Sequence, residues 1–518
     1  MKRSLISLFL CSFVLVVGAA WGQEKPKYGG TINFGLERDI STMNPFVRAS
    51  GVDLDVRGLI YQPLLDKDLQ GNIVPALAES WSVSKDGLVY TFKLRREVKF
   101  HNGQEMTAED IKWSADYAME PKNGSEGLSF LRDVKSVKVV DRHAIEFTLH
   151  GPRAVFLSYL TVLRPFPVVP KGSVPSGMEK IEGFPPGTGP FSFKEARGLG
   201  QVVLVRHKDY WQKGLPYLDQ VVFKTSEDPT VRFTSLRAGD LDLIERTPYA
   251  FVRKVESGEV RNIKATAAPF AGFRRLIFNV ADAPFNNAKL RQAVAYALDR
   301  KQYLQGAFWG YGIATQLRFP QGSPWYVKLP ERERDTAKVK ALLAEAGIGS
   351  DLEIEFLVRR GTEEEYQVVL QQLTTAGLKV KVSPMEGASF RERQRRGMYQ
   401  FGLFGGDLPN DPADSYPPEY ACDEEAVKAK KRTRNWPGYC NQEFDRLLAD
   451  AGKITDQKKR YEIYAKATRI LFDDLPDIPL AYVPRFFTYH ERVKGFGADA
   501  DGRFSGTTFG VSRVWIDK

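Results

Sequence analysis

The chain has 518 residues, a net charge of +10, three cysteines and five histidines. Single hydrophobic cores stop growing at roughly 250–300 residues, so at least two lobes are expected. The histidines (His101, His143, His150, His207, His490) show no metal-ligand spacing, and GxSxG, HExxH, Walker A and CxxC motifs are absent, which argues against an enzyme, a resident metal or a cofactor.

At the N-terminus, Lys2 and Arg3 precede an apolar run from Leu5 to Val17, and Ala20-Trp21-Gly22 offers small residues for cleavage. The run is too short to span a bilayer, so residues 1–22 read as a secretory signal peptide and the mature chain as periplasmic. Leu8-Phe9-Leu10 before Cys11 lacks the small residues of a lipoprotein box. Secretion argues against a nucleic-acid partner for the basic surface, which weakly favours acidic ligands or anionic membrane. No later segment approaches 18 consecutive apolar residues, so a soluble mature protein is expected.

Residues 88–95 alternate as a half-buried strand, with Leu88, Tyr90, Phe92 and Leu94 on one face. An Asn102-Gly103 turn follows, and Thr107 with Asp110 forms a capping box for the next helix. Residues 286–304 read as one amphipathic helix capped by Asn286 or Asn287, and 336–346 as another between Asp335 and Gly347. The unit 353–382 reads strand, helix, strand, which implies a parallel pair. Residues 457–472 form a late helix before Pro476. Of the two cysteines after the leader, Cys422 and Cys440, a disulfide is the simplest reading in an oxidising compartment; a zinc site lacks a nearby histidine.

GLVYTFKLRREVKFHNGQEMT (87–107) and PGTGPF (186–191), with YGGTINFG (28–35), LPYLDQVVFKT (215–225), FNVADAPFNNAKLRQAVAYALDRKQ (278–302) and NQEFDRLLADA (441–451), resemble in order the blocks of family 5 extracellular solute-binding proteins, the peptide, nickel and opine receptors of ABC importers. The resemblance implies an α/β, two-lobed periplasmic binding protein fold, class II-like and of the large family 5 type, with a ligand cleft between lobes. The first lobe is discontinuous, 23–283 completed by 491–518, and the second is 284–490. The crossing strands of the hinge would lie at Phe278-Asn279-Val280 and after Tyr489.

The family pattern also implies binding residues. Asp407, in the Gly- and Pro-rich loop 401–416, matches the position of a dipeptide receptor's aspartate for the α-ammonium, with Asp411 as the competing carboxylate. A turn aspartate is the bland alternative for Asp407. Arg359 or Arg360 lies where those receptors carry an arginine for the peptide carboxylate, and a bidentate guanidinium suits that task. Arg164, in LRPF (163–166), is similar to a nickel-receptor arginine that contacts a chelate. Trp325-Tyr326, Tyr416, Tyr420 and Trp436 could stack on a ligand or pack in the core.

The expected function is that of a periplasmic substrate-binding component that closes by hinge motion over a small-molecule or peptide ligand and delivers it to an inner-membrane ABC permease, as a monomer. Peptide leads, then a nickel or metal chelate or opine-like anion, then oligosaccharide. A secreted hydrolase and a periplasmic chaperone are the readings from other classes.

Overall fold

In the computed structural model of the chain, residues 25–517 are described except 48–49, 69–70, 176–182, 199, 350, 407–410, 433, 455, 499–502, 505 and 507–508. The expected signal peptide, residues 1–22, lies outside the described residues.

The fold is α/β, built on a mixed sheet of eleven strands. In its first half, strand Thr31–Leu36 runs parallel to Gln220–Thr225, which continues antiparallel into Gln201–Arg206 and Phe191–Arg197. A separate four-stranded antiparallel sheet includes Val89–Leu94. The alternation read from the sequence there puts Tyr90, Phe92 and Leu94 in the core. Thr107 caps helix Ala108–Met119 as expected: its N–H donates to Asp110 Oδ2 at 2.8 Å.

In the second half, strands Glu353–Arg359 and Lys379–Met385 pair in parallel across helix Glu363–Thr375, with Phe356 opposite Val382. The single helix expected over 286–304 is instead two, Ala288–Ala297 and Arg300–Phe308. Asp299 causes the break. Its side chain accepts from Gln302 N–H as an N-cap, while Gln372 brackets its backbone N–H and C=O at 2.9 and 3.0 Å.

Two of the sequence blocks prove to be one contact. His101 Nδ1 accepts from Gly187 N–H at 3.1 Å, and its Nε2 lies 3.0 Å from Gly189 O. Burial holds the ring neutral, its pKa pushed down to about 3, so the proton sits on Nε2 and donates to Gly189. A Cβ on Gly187 would fall 2.1 Å from Ile60 O, and one on Gly189 2.4 Å from Leu59 O. The glycines permit a backbone approach that no side chain would allow.

Hydrophobic burial divides into two large cores. Phe34, Phe92, Phe147, Phe191 and the C-terminal Phe504 and Val514 belong to the first; Phe278, Phe356, Phe401 and Leu480 belong to the second. Strands Ile263–Phe278 and Asp477–His490, paired antiparallel, connect them. Ala268 and Phe487 lie in the first core, Leu276 and Val483 in the second. Their pairing register breaks between Ala268 and Gly272, opposite Arg485 and Val483. Pro269 and Pro484 fall in that interval, and a proline has no N–H to give to a ladder. The change of core therefore precedes Phe278-Asn279-Val280, which lies within and beyond the second-core end of the strand.

Candidate functional site

Between the two cores lies a cleft of about 1260 Å³. The first half contributes the segment around Ser125–Arg132 and Arg164, and the second the strand residues Arg275, Gly405 and Gly406, the helix Pro412–Tyr420, and Arg434 and Trp436 from a later loop. Seven arginines (Arg132, Arg164, Arg275, Arg318, Arg391, Arg395, Arg434) face three carboxylates (Glu126, Asp414, Glu419) on its wall.

The floor is a buried charge network. Arg275, only 2% exposed, bridges Glu419 at 2.8 Å and Asp477 at 2.7 Å, and Tyr420 OH donates to Asp477 at 2.7 Å. Glu419 also meets Arg318 at 3.1 Å and Arg434 at 3.5 Å. Burial pushes the Glu419 carboxyl up, but Arg275, Arg318 and Arg434 outweigh it and hold the group below the usual range. On the opposite wall Arg164 pairs with Glu126. Arg132 and Arg391 make no ion pair among the described residues.

Asp414 differs from these. Its Oδ1 is buried with no hydrogen-bond partner among the described residues. Burial, then the neighbouring Asp411 carboxylate, push its pKa up to about 7 against the pull of Lys67, Arg153 and Arg460. It sits where the two halves meet, since Lys67 and Arg153 come from the first and Arg460 from the second. Val155 and Tyr159 of the first half pack there too, in a cluster with Tyr416 and Tyr464.

The residues singled out in the sequence are dispersed. Arg164 lines the cleft. Arg359 lies at a side cavity of about 340 Å³, which shares Arg391, Gln394, Gly405 and Trp436 with the cleft. Arg360 is exposed at the surface, 3.3 Å from Glu386, and lines neither space. Asp407 lies outside the described residues. Asp411 N-caps helix Pro412–Tyr420 and forms a two-pronged ion pair with Arg460, one prong at 2.8 Å, so its oxygens are already engaged.

Trp325 and Tyr416 are core residues, a correction to their reading as stacking platforms. Trp325 packs edge-on against Tyr464 beneath Arg460, and Tyr416 is fully buried with its hydroxyl 2.8 Å from Thr468. Tyr420 is buried likewise, leaving Trp436 as the aromatic of that group on the cleft wall. Cys422 and Cys440 are disulfide-bonded and close the loop that carries Arg434 and Trp436. Arg275, Arg318, Asp414 and Glu419 were not singled out from the sequence. One signal was present: Arg274-Arg275 interrupts the otherwise apolar strand segment FRRLIF (273–278), and a buried arginine requires partners.

Comparison with known proteins gives a consistent set. Residues 72–426 match the family "Bacterial extracellular solute-binding proteins, family 5 Middle". Heme-binding protein A of Haemophilus influenzae is 30% identical over 478 residues, covering 85% of this chain and 86% of its own. Glutathione-binding protein GsiB of Escherichia coli K12 is 26% identical over 482 residues, with coverage of 90% and 92%. The periplasmic binding protein DppA of Helicobacter pylori, in complex with the peptide STSA, superposes with a TM-score of 0.79 at 26% identity, over 95% of this chain and 99% of that one.

Proposed function

The chain belongs to the bacterial extracellular solute-binding proteins, family 5, and we propose that within this family it is a receptor for a small solute carrying more than one carboxylate, an acidic peptide first among the candidates. Members of the family are periplasmic or extracellular substrate-binding components of ABC importers, not enzymes. Among the described residues no helix is long and apolar enough to cross a membrane. Removal of residues 1–22 and action as a monomer beside an inner-membrane permease belong to the proposal.

The observation that carries the ligand class is the cleft's charge: seven arginines from both halves line it against three carboxylates, and a positive excess remains when Asp477 beneath Arg275 and Glu392 beside Arg395 are counted. Two positively charged walls repel each other as they approach. An anion between them turns that repulsion into attraction, so closure becomes conditional on charge. We place the bending at the register break, Ala268–Gly272 with Val483–Arg485, where the paired strands change core and the ladder lapses. The lobes are then 23 to about 268, with the chain from about 487 onward, and the span between.

A peptide's α-ammonium has a partner in Asp414, whose buried Oδ1 lacks one. Arg359, beside the side cavity, stays a candidate for a carboxylate. The names of the relatives agree with this class, since glutathione is a tripeptide with two carboxylates and heme carries two propionates. Among the described residues no cluster of histidine, cysteine or carboxylate suits a metal ion, so a metal would enter already chelated by an anion.

Calorimetry of the mature protein with triglutamate, trialanine and trilysine tests the reading. Triglutamate should bind at least tenfold tighter than trialanine, weaken as salt is raised, and weaken further in Arg164→Ala. Equal affinity for trialanine and triglutamate would overturn it.

A further inference from the structure

The side cavity of about 340 Å³ lies entirely within the second half of the molecule, behind Trp436. Its apolar wall is made by Phe390, Leu403 and Phe404, with Trp436 stacked on Phe404 at a centroid distance of 6.2 Å and 25° between planes. One polar part of the wall satisfies itself. Arg274 donates to Glu365 at 2.7 Å and Tyr303 OH donates to the same carboxylate at 3.2 Å, so this ion pair adds no net charge to the cavity.

The remaining charge is different. Arg391 Nη1 and Arg359 Nε lie 3.6 and 3.8 Å from the point that a Cβ on Gly387 would occupy, so both guanidinium groups converge there. Neither forms an ion pair among the described residues. Two like charges converging beside an aromatic wall suit a group that is flat and apolar on one side and anionic on the other.

Size sets the group. An apolar cavity of about 150 Å³ accommodates benzene. The cavity here is roughly twice that, room for a bicyclic ring. Access is shared, because Arg391, Gln394, Gly405 and Trp436 line both this cavity and the main cleft.

We propose that the side cavity is a ring-binding subsite: it takes an aromatic group of about indole size attached to the anionic solute, packed among Trp436, Phe404, Phe390 and Leu403, with an acidic substituent held between Arg359 and Arg391. The proposal rests on the anionic-ligand reading and narrows it to an acidic solute with an aromatic arm, such as a peptide that combines glutamate or aspartate with tryptophan. Cation–π attraction from Arg275, 6.0 Å from the Trp436 ring centroid, helps fix that ring as part of the wall.

The test uses glutamate-rich tetrapeptides of equal charge in which one position is scanned as alanine or tryptophan, measured by calorimetry on the full mature chain. At least one tryptophan peptide should bind tenfold or more tighter than its alanine counterpart. Gly387→Leu, which lines only the side cavity and opens a helix with no backbone strain, should erase that gain, so that the tryptophan peptides bind no tighter than their alanine counterparts. If acidic peptides bind but no tryptophan position gains, the subsite fails and the anionic reading stands. If no acidic peptide binds, the anionic reading falls, and indole-3-acetate alone decides the subsite: binding lost in Gly387→Leu supports it, and no binding overturns it.

Discussion

Replacing Asp414 by asparagine should raise the stability of the protein at neutral and alkaline pH and leave it nearly unchanged in acid. The Asp414 carboxyl is pushed up from 3.8 to about 7, chiefly by burial and then by Asp411. The native state therefore keeps a proton that the unfolded chain loses near pH 4. Between about pH 4 and pH 7 the unfolded state binds fewer protons, so stability falls as pH rises, and above pH 7 the full cost is present. A tenfold change in proton affinity between the two states corresponds to about 1.4 kcal/mol, which gives of the order of 4 kcal/mol at complete burial. Oδ1 is buried but the residue as a whole keeps partial exposure, so about 2 kcal/mol is the working figure. Calorimetric melting of wild type and Asp414→Asn at pH 3, 6 and 8 isolates this group, because titrations not coupled to it cancel in the difference. Melting temperatures should coincide near pH 3, below the unfolded value of 3.8, and diverge in favour of the variant by pH 8. A variant less stable than wild type at pH 8 would refute the account of Asp414 as a costly buried charge.

Arg275→Met leaves Asp477 and part of Glu419 without a cation in the cleft floor, and should cost about 3 kcal/mol or more in unfolding experiments; a loss under about 1 kcal/mol would show that the network does not depend on Arg275. Gly187→Ala puts a Cβ 2.1 Å from Ile60 O, so the backbone must shift and the His101 contact with it, and a clear drop in melting temperature is expected. Thiol labelling of the unfolded, unreduced chain from residue 23 onward should find no free sulfhydryl, and Cys422→Ala with Cys440→Ala should cost about 3 kcal/mol by the loop-entropy argument. Two labelled cysteines would contradict the bond.

Local signals were readable in the sequence because local physics sets them. The alternation of Tyr90, Phe92 and Leu94, the Thr107–Asp110 box, and the strand-helix-strand unit around Phe356 and Val382 all appear where the periodicity puts them. The break at Leu298-Asp299 was missed because apolar spacing runs straight through it, although Asp299 three residues before Gln302 is a cap signal that competes with periodicity. The change of core at Ala268–Gly272 was obscured by continuous strand character as far as Phe278.

The site was less readable, since its charge is assembled from distant segments. Arg164, Arg275, Arg318 and Arg434 share one space only after the two halves fold, and no short motif joins them. Aromatic residues carry the reverse ambiguity. Trp325 and Tyr416 lie in segments as rich in proline as the one that holds Trp436, but they turn into the core because Tyr464 and Thr468 on the helix Gln457–Asp474 meet them there.

Native mass spectrometry of the protein purified from the envelope of its own host tests the central claim most directly. The account predicts one small co-purified molecule per chain, released on unfolding and carrying a net negative charge from at least two acidic groups. A neutral or cationic solute bound at one per chain would contradict it.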